Sequence, residues 1–223
     1  MNATRAAQAT RTTRTGRAAR PARTADLTRV TPLAVVGAPA LMALYGGIRL
    51  VPGSREPGLG WTAGHTAMFA GLLLFAPVFL VLRRKLAPHG TAGRIAAGAA
   101  TATAFVGLLC SLAQIGIDLV VGLAAADKAE QARLFDRVQG VPGVLPAVYQ
   151  VGPLLFYVGL LALLTAVAVG RSRTLRWWSP VLVLLGTLAS GVDLALIPLA
   201  AACYLVALAP LARPVSAPRP VLV

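Results

Sequence analysis

Acidic residues, histidine and cysteine are all scarce in this 223-residue chain. It contains 7 Asp and Glu residues against 21 Lys and Arg residues, together with 2 His and 2 Cys. Cys110 and Cys203 fall inside apolar runs without CxxC or Cys/His spacing, which predicts neither a disulfide nor a metal site. His65 and His89 do not supply two facing ligands within the membrane for a haem. We therefore expect no cofactor and no metal.

Catalytic motifs are missing as well. The chain has no HExxH, no GxSxG nucleophile elbow, no P-loop and no GxGxxG. Each of these motifs places a reactive or phosphate-binding group at a fixed spacing, and their absence removes the enzyme classes that depend on them. The sequence therefore favours a non-enzymatic protein.

Charged residues are rare between residues 30 and 212, where long apolar runs dominate. The whole chain is 57% hydrophobic and 13% charged, and its mean hydropathy is +0.74. A helix needs about 20 apolar residues to cross the hydrocarbon of a bilayer. The sequence predicts an all-α, polytopic transmembrane helix bundle with six spans, or with five as the alternative.

The net charge of +14 raises the question of nucleic-acid binding. The basic residues flank the apolar runs, and no aromatic residues interleave with Arg in the N-terminal segment to stack on bases. We therefore expect no nucleic-acid partner. The expected partners are the lipid bilayer and, at the Arg-rich tail, anionic lipids, while a homo-oligomer and an unidentified small ligand stay open.

The distribution of charge also predicts domains and orientation. Residues 1–29 are expected to form a disordered, Arg-rich cytoplasmic tail, residues 30–212 the bundle, and residues 213–223 a short cytoplasmic tail. Nearly all basic residues are Arg, and Ala, Leu, Val, Gly and Pro dominate, which is typical of a high-GC bacterial genome. We expect a multi-pass protein of a bacterial cytoplasmic membrane with a cytoplasmic N-terminus.

Several local features refine this topology. The apolar segment from Ile95 to about Ala126 is expected to form one long helix, because two spans here would place the following basic loop on the outer side of the membrane. Residues 127–139 predict an amphipathic interfacial helix with Ala132, Phe135 and Val138 on one face. The last apolar stretch would extend about 54 Å as one helix, so we expect a turn near Asp193.

Three further motifs carry a family resemblance. His65 and Phe69 form a His-x-x-x-Phe pattern at the start of the second span. An Arg-Arg-Lys loop follows that span at residues 83–85, and Trp177-Trp178 precedes the closing apolar hairpin. In these features the chain resembles the uncharacterised multi-pass membrane proteins of high-GC actinobacteria. The resemblance implies the topology alone.

One face of the third span combines small and polar residues. The small residues of its inner half favour close helix packing, and the outer half becomes polar enough to line a wet site. This face comprises Ala96, Ala100, Ala104, Gly107, Ser111, Gln114 and Asp118.

Five polar residues map to the outer ends of the spans and predict one polar pocket. Asp118 and Asp193 are the only acidic residues in apolar segments, and an intramembrane ionisable residue is a functional candidate. The alternative is that these carboxylates and the neighbouring cations are solvated at the interface. The predicted pocket contains Arg49, His65, Gln114, Asp118 and Asp193.

These residues leave three functions open. The first is a non-enzymatic transport-like, sensing or scaffold component of the membrane. The second is a small cation- or proton-coupled transporter that uses Asp118. The third is a metal-dependent membrane enzyme in which His65 acts with Asp118 and Asp193.

Overall fold

The chain is helical throughout the part that the structure describes. The structure is a computed structural model that describes residues 22–88, 90–170 and 174–212, with side chains from residue 30 onward. Within these ranges there is no strand. The predicted all-α fold class is confirmed.

Seven α-helices alternate with short turns in these ranges. A π-helical turn at Leu145–Val151 leads directly into the fifth helix, and 3₁₀ turns at Leu194–Leu196 and Ala209–Ala212 flank the seventh. The helices are α1 (Ala22–Arg49), α2 (Leu59–Lys85), α3 (Gly90–Ala124), α4 (Lys128–Gln139), α5 (Gly152–Val169), α6 (Trp178–Val192) and α7 (Ile197–Leu208).

The length and composition of these helices indicate a membrane protein. Among the described residues, five segments are long and apolar enough to cross a bilayer. The apolar helix α6 has 15 residues, or about 22 Å, and is shorter than the bilayer core. The five segments are Val30–Arg49, Leu59–Lys85, Gly90–Ala124, Leu145–Val169 and Leu194–Ala212.

The first helix begins earlier than the sequence predicts. Its candidate span starts at Val30, as expected, but the helix itself starts at Ala22, inside the segment predicted to be disordered. Ala and Arg are good helix formers, which favours helix before the apolar run begins. Residues 1–21 and 213–223, including Arg213 and Arg219, lie outside the described residues.

Helix α1 packs on α2, α2 on α3, α3 on α5 and α6 on α7, and α7 returns to α1 to close the bundle. The loop between α2 and α3 lies at one end, which carries Arg83, Arg84, Lys85 and Arg94. We call this the basic end. The opposite end holds the loop between α1 and α2, the helix α4 and the turn at Asp193.

An aromatic cluster fills the middle of the bundle. Phe75 and Phe79 of α2 contact Phe156 of α5, with ring centroids 5.0 Å and 5.5 Å away. Phe75 also meets the ring of Tyr204 of α7 edge-on. The buried Tyr204 hydroxyl is hydrogen-bonded to Thr187 of α6 at 2.5 Å, so this polar atom has the partner that burial in an apolar core requires.

Small residues bring α3 and α5 into backbone contact. A Cβ added at Gly107 would lie 1.9 Å from the backbone nitrogen of Phe156, and one at Gly159 would lie 2.3 Å from that of Ala104. No side chain fits between the helices here. The packing role predicted for the small residues of α3 therefore holds for Ala104 and Gly107.

The same small-residue face opens into a cleft at the basic end. Ala96 is exposed and Ala100 is half-buried, and both line a cleft of about 340 Å³ between α3 and α5. The packing prediction is wrong at Ala96. At this level α5 presents Ala162 and Ala166 to the cleft, whereas nearer the middle Gly159 lies against the backbone of Ala104.

The closing hairpin turns where the sequence predicts. Helix α6 ends at Val192, and Asp193 caps the following 3₁₀ turn by accepting a hydrogen bond from the Ala195 backbone at 2.8 Å. Asp favours such turns because its side chain bonds to the backbone two residues later. Within this hairpin, Gly186 lies directly against the backbone of Ala200.

Helix α4 forms as predicted but with a different inner face. Asp127 caps it by accepting from the Glu130 backbone, while Glu130 accepts from the Ala126 backbone, each at 2.8 Å. This reciprocal pair resembles a capping box, with Ala126 in place of the N-cap residue as the second donor. Gln131 is buried, whereas Ala132 is exposed. Phe135 contacts Trp61 of α2, with ring centroids 6.1 Å apart.

Candidate functional site

His65 lies inside the opposite end of the bundle, in the second turn of α2. Its side chain is buried, and Nδ1 is 2.8 Å from the Trp61 carbonyl oxygen of the same helix. A carbonyl only accepts hydrogen bonds, so Nδ1 carries a proton and donates it. In a neutral imidazole the other nitrogen, Nε2, is then an acceptor.

Two aromatic rings fix the plane of this imidazole. The Trp61 indole stacks on it with ring centroids 4.0 Å apart and an interplanar angle of 25°. Tyr45 of α1 meets it edge-on at 5.3 Å and 76°. Gly64 lies beside the Tyr45 ring, at ordinary van der Waals distance. His65 can therefore present Nε2 in only one direction.

Asp118 of α3 lies where Nε2 points. Its residue exposure is 8%, and its Oδ2 is 4.0 Å from His65 Nε2. The other oxygen, Oδ1, accepts a hydrogen bond from the Tyr149 hydroxyl at 3.1 Å. A carboxylate at this depth is costly unless it is paired, and these two contacts are the partners that the structure gives it.

The Trp61 indole ties α2 to α3 at the same level. Its Nε1 donates to the backbone carbonyl of Asp118 at 2.8 Å, and the ring lies over Gly122. A Cβ at Gly122 would be 2.1 Å from the indole. Glycine is required there because any side chain would displace Trp61 and, with it, the ring that stacks on His65.

Tyr149 is supplied by the irregular start of the fourth span. The π-helical turn Leu145–Val151 contains it, and Gly152 and Pro153 follow. Pro153 has no backbone N–H and so interrupts the regular helical pattern. Such π-helical turns are frequent at functional sites, where they redirect one side chain.

His65 Nε2 and Asp118 Oδ2 are 4.0 Å apart and lack the one proton that would join them in a hydrogen bond. With His65 neutral and Asp118 ionised, Nε2 and Oδ2 are both hydrogen-bond acceptors and face one another without a donor. One added proton on either atom supplies that donor. The arrangement can therefore take up a single proton between two fixed side chains.

Arg49 lies on the other side of His65. Together with Tyr45 and His65 it lines a small cavity, and its charge acts on both of these residues. Within the described part of the chain, the only histidine or basic side chain within ion-pair distance of a carboxylate is His65, with Asp118. Arg49 is thus near the pair but is not bound to Asp118.

The remaining two residues of the predicted pocket are placed differently. Gln114 is half-buried one helical turn before Asp118 on α3. Asp193 is exposed, and its Oδ1 caps its own turn. Among the residues that the structure describes, no three His, Cys, Asp or Glu side chains gather as metal ligands. The ligand set required for the metal-enzyme alternative is therefore not assembled by His65, Asp118 and Asp193.

Sequence reasoning missed the neutral and aromatic members of the site. Tyr149 fits a membrane-interface aromatic equally well, and Trp61 and Tyr45 carry no charge that marks them. One signal was present, since Trp61 and His65 are four residues apart and therefore share a helix face. The contacts of Trp61 and Tyr149 with Asp118 span 57 and 31 residues, and no local pattern reports them.

The fold and composition define the class: a helical membrane protein with a buried histidine–carboxylate pair at one end. No protein-family model, curated protein or solved structure matches the chain. Its activity is therefore argued from the site alone.

Proposed function

We propose that the protein is a small proton-coupled membrane transporter in which the His65–Asp118 pair binds the proton. The observation that supports this most strongly is the 4.0 Å separation of Nε2 and Oδ2, with the opposite ring nitrogen already committed to the Trp61 carbonyl. A buried ionisable pair in a span is typical of proton relays in pumps and transporters.

A single proton changes the interaction within the pair from repulsive to attractive. On His65 it produces an imidazolium beside a carboxylate, and on Asp118 it produces a carboxylic acid that donates to Nε2. Both products are better paired than the proton-free state. The site can thus bind a proton from the aqueous side and hold it within the bundle.

Other charged and titratable groups face the pair from neighbouring elements. Arg49 and Tyr45 approach from α1, Arg55 lines the adjacent cavity from the loop, and Tyr149 approaches from the π-helical turn. The hydrogen bond from Tyr149 stabilises the ionised carboxylate, whereas the burial of Asp118 favours its neutral form. This balance favours exchange of the proton over permanent retention.

Proton binding also has a structural consequence. The hydrogen bond from Tyr149 to Asp118 Oδ1 is charge-assisted while the carboxylate is ionised and weakens when it is protonated. Tyr149 belongs to the irregular turn at the start of α5. The protonation state of Asp118 is thereby coupled to the start of the fourth span.

Flux in proteoliposomes tests this function. The protein is reconstituted with a pH-sensitive dye inside the vesicles, and proton movement is followed after a pH gradient and a membrane potential are imposed. We expect proton flux in the wild type, its loss in Asp118→Asn, and wild-type flux in the matched control Asp193→Asn. No flux in the wild type across a panel of salts would overturn the transporter and leave a sensing or scaffold role.

Location and orientation are part of the same proposal. We place the protein in a bacterial cytoplasmic membrane with both termini inside and the Arg-rich tail near anionic lipid, because of the basic residues that flank the apolar runs. A phosphatase active only in the periplasm, fused after Val223, is expected to be inactive. Activity of that fusion would contradict six crossings.

A further inference from the structure

A second polar feature adjoins His65 and is not used by the proton-binding pair. The loop between α1 and α2 folds back on the start of α2 and leaves a cavity of about 10 Å³, which is room for one water-sized group. Its polar walls come from three elements. The polar and aromatic lining residues are Tyr45, Arg49, Ser54, Arg55, Trp61 and His65.

The Ser54 hydroxyl at this cavity lacks a hydrogen-bond partner among the described residues. The residue is 8% exposed, its Oγ is buried, and no hydrogen bond reaches that atom from the described residues. A buried hydroxyl without a partner is unfavourable and uncommon in native structures. The turn that holds it is itself well formed, because the Ser54 backbone donates to the Val51 carbonyl at 3.2 Å.

The charges around the cavity are positive. Arg49 and Arg55 both line it, and neither guanidinium lies within ion-pair distance of a carboxylate in the described ranges. Glu56, next in the sequence, is exposed and is not a wall residue. Asp118 lies beyond the His65 ring and is not a wall residue either. With two arginines and no carboxylate among its walls, the cavity repels a cation and attracts an anion.

We propose that this cavity binds a small inorganic anion of halide size, held by Arg49, Arg55 and Ser54. The size of the cavity favours a monatomic anion over phosphate or a lipid head group. Because the cavity lies beside His65, the proposal adds an anion to the proposed function. It rests on that function only for the coupling between the anion and the proton. A proton on the His65–Asp118 pair would add positive charge next to the anion, so proton and anion would bind together and could be carried together.

Chloride titration of the purified full chain tests the site. Trp61 lines the cavity, and the other two tryptophans can be removed by W177F and W178F so that Trp61 fluorescence reports binding. The protein is kept in maltoside micelles free of phospholipid, and chloride replaces gluconate at constant ionic strength. We expect a saturable fluorescence change.

Two variants and a matched control test whether the fluorescence change arises from chloride bound in this cavity. Arg49→Gln removes a charged donor and should weaken chloride binding about tenfold. Ser54→Ala removes only the hydroxyl, keeps every charge, and should weaken binding about threefold. Arg84→Gln changes an exposed arginine at the basic end and should leave chloride binding unchanged.

The outcomes separate the anion site from the proton site. A linear, unsaturable change in the wild type, or equal responses in Ser54→Ala and wild type, would overturn the anion site. If inorganic phosphate produced the fluorescence change at a lower concentration than chloride, the proposed preference for an anion of halide size would be wrong. Tighter chloride binding at acidic pH in the wild type, lost in Asp118→Asn, supports coupling to the proton. Saturable binding with the same affinity at every pH would retain the anion site and overturn the coupling.

Discussion

The two ends of α3 differ sharply although one helix face connects them. Toward the opposite end, Asp118 is enclosed by His65, Trp61 and Tyr149. Toward the basic end, Ala96 lines an open apolar cleft. The difference shows that small residues alone do not determine contact. A face closes where its neighbours supply glycine or a hydrogen-bond partner and stays open where they supply neither.

The contact between α3 and α5 divides these two ends, and breaking it should have the largest effect. Gly107→Leu places a side chain where even a Cβ would be 1.9 Å from the Phe156 backbone. Backbone atoms cannot rotate away as side chains do, so we expect loss of the folded protein. Gly98 has open space around it on the same helix.

Size-exclusion chromatography after detergent extraction measures the effect. Gly98→Leu is the matched control and should elute as the wild type does. A monodisperse Gly107→Leu protein with wild-type thermal stability would show that the close approach of α3 and α5 is not required for the fold.

The next largest effect on stability is expected at the end of α3 that holds Asp118. Asp118→Ala leaves the Tyr149 hydroxyl without its acceptor, and an unsatisfied buried polar group costs about 1–3 kcal/mol. Asp118→Asn keeps an acceptor for Tyr149 and should cost less. Thermal unfolding in micelles ranks the two variants, and equal melting temperatures for Asp118→Ala and wild type would contradict the enclosure of Asp118.

Removing one hydrogen bond should have a smaller effect. Tyr149→Phe deletes the donor to Asp118 Oδ1 and retains the ring, which predicts a loss of about 0.5–1.5 kcal/mol. Tyr157→Phe is the matched control from the same span, because no hydrogen bond of its hydroxyl is found among the described residues. If the two variants unfold at the same temperature, the Tyr149 contact does not stabilise the site.

The smallest effect on stability is expected from a substitution in the cleft between α3 and α5. Ala96→Leu adds apolar volume at an exposed position that faces the cleft, where the new side chain meets no wall that must move. Exposed substitutions of this kind usually change stability by less than about 0.5 kcal/mol. A large fall in the melting temperature would mean that the cleft is closed in the membrane.

Much of the fold could be predicted from the sequence because a bilayer imposes simple rules. The length of the apolar runs predicts the helices, and the excess length of the last run together with Asp193 predicts the final turn. The site was predicted only in part. Asp118 and His65 stand out as ionisable groups in apolar surroundings, whereas Asp193, of the same residue type and at the same end, caps an exposed turn.

The remaining features depend on packing across the bundle. The burial of Asp118 follows from contacts with Trp61 and Tyr149, which come from distant parts of the chain. The cleft follows from the absence of glycine on α5 opposite Ala96. Neither can be read from one helix, because each is a property of two facing surfaces.

His65 Nε2 and Asp118 Oδ2 face one another without the proton that would join them, and ¹⁵N NMR of the histidine ring tests this arrangement most directly. The chain contains only two histidines, so H89Q leaves His65 as the only imidazole. In labelled protein at alkaline pH we expect a neutral ring protonated at Nδ1. Acidification should add a proton shared between Nε2 and Asp118, and this change should be absent from Asp118→Asn over the same pH range. A ring that carries its proton on Nε2 at alkaline pH would contradict the account, because Nε2 would then already donate to Asp118.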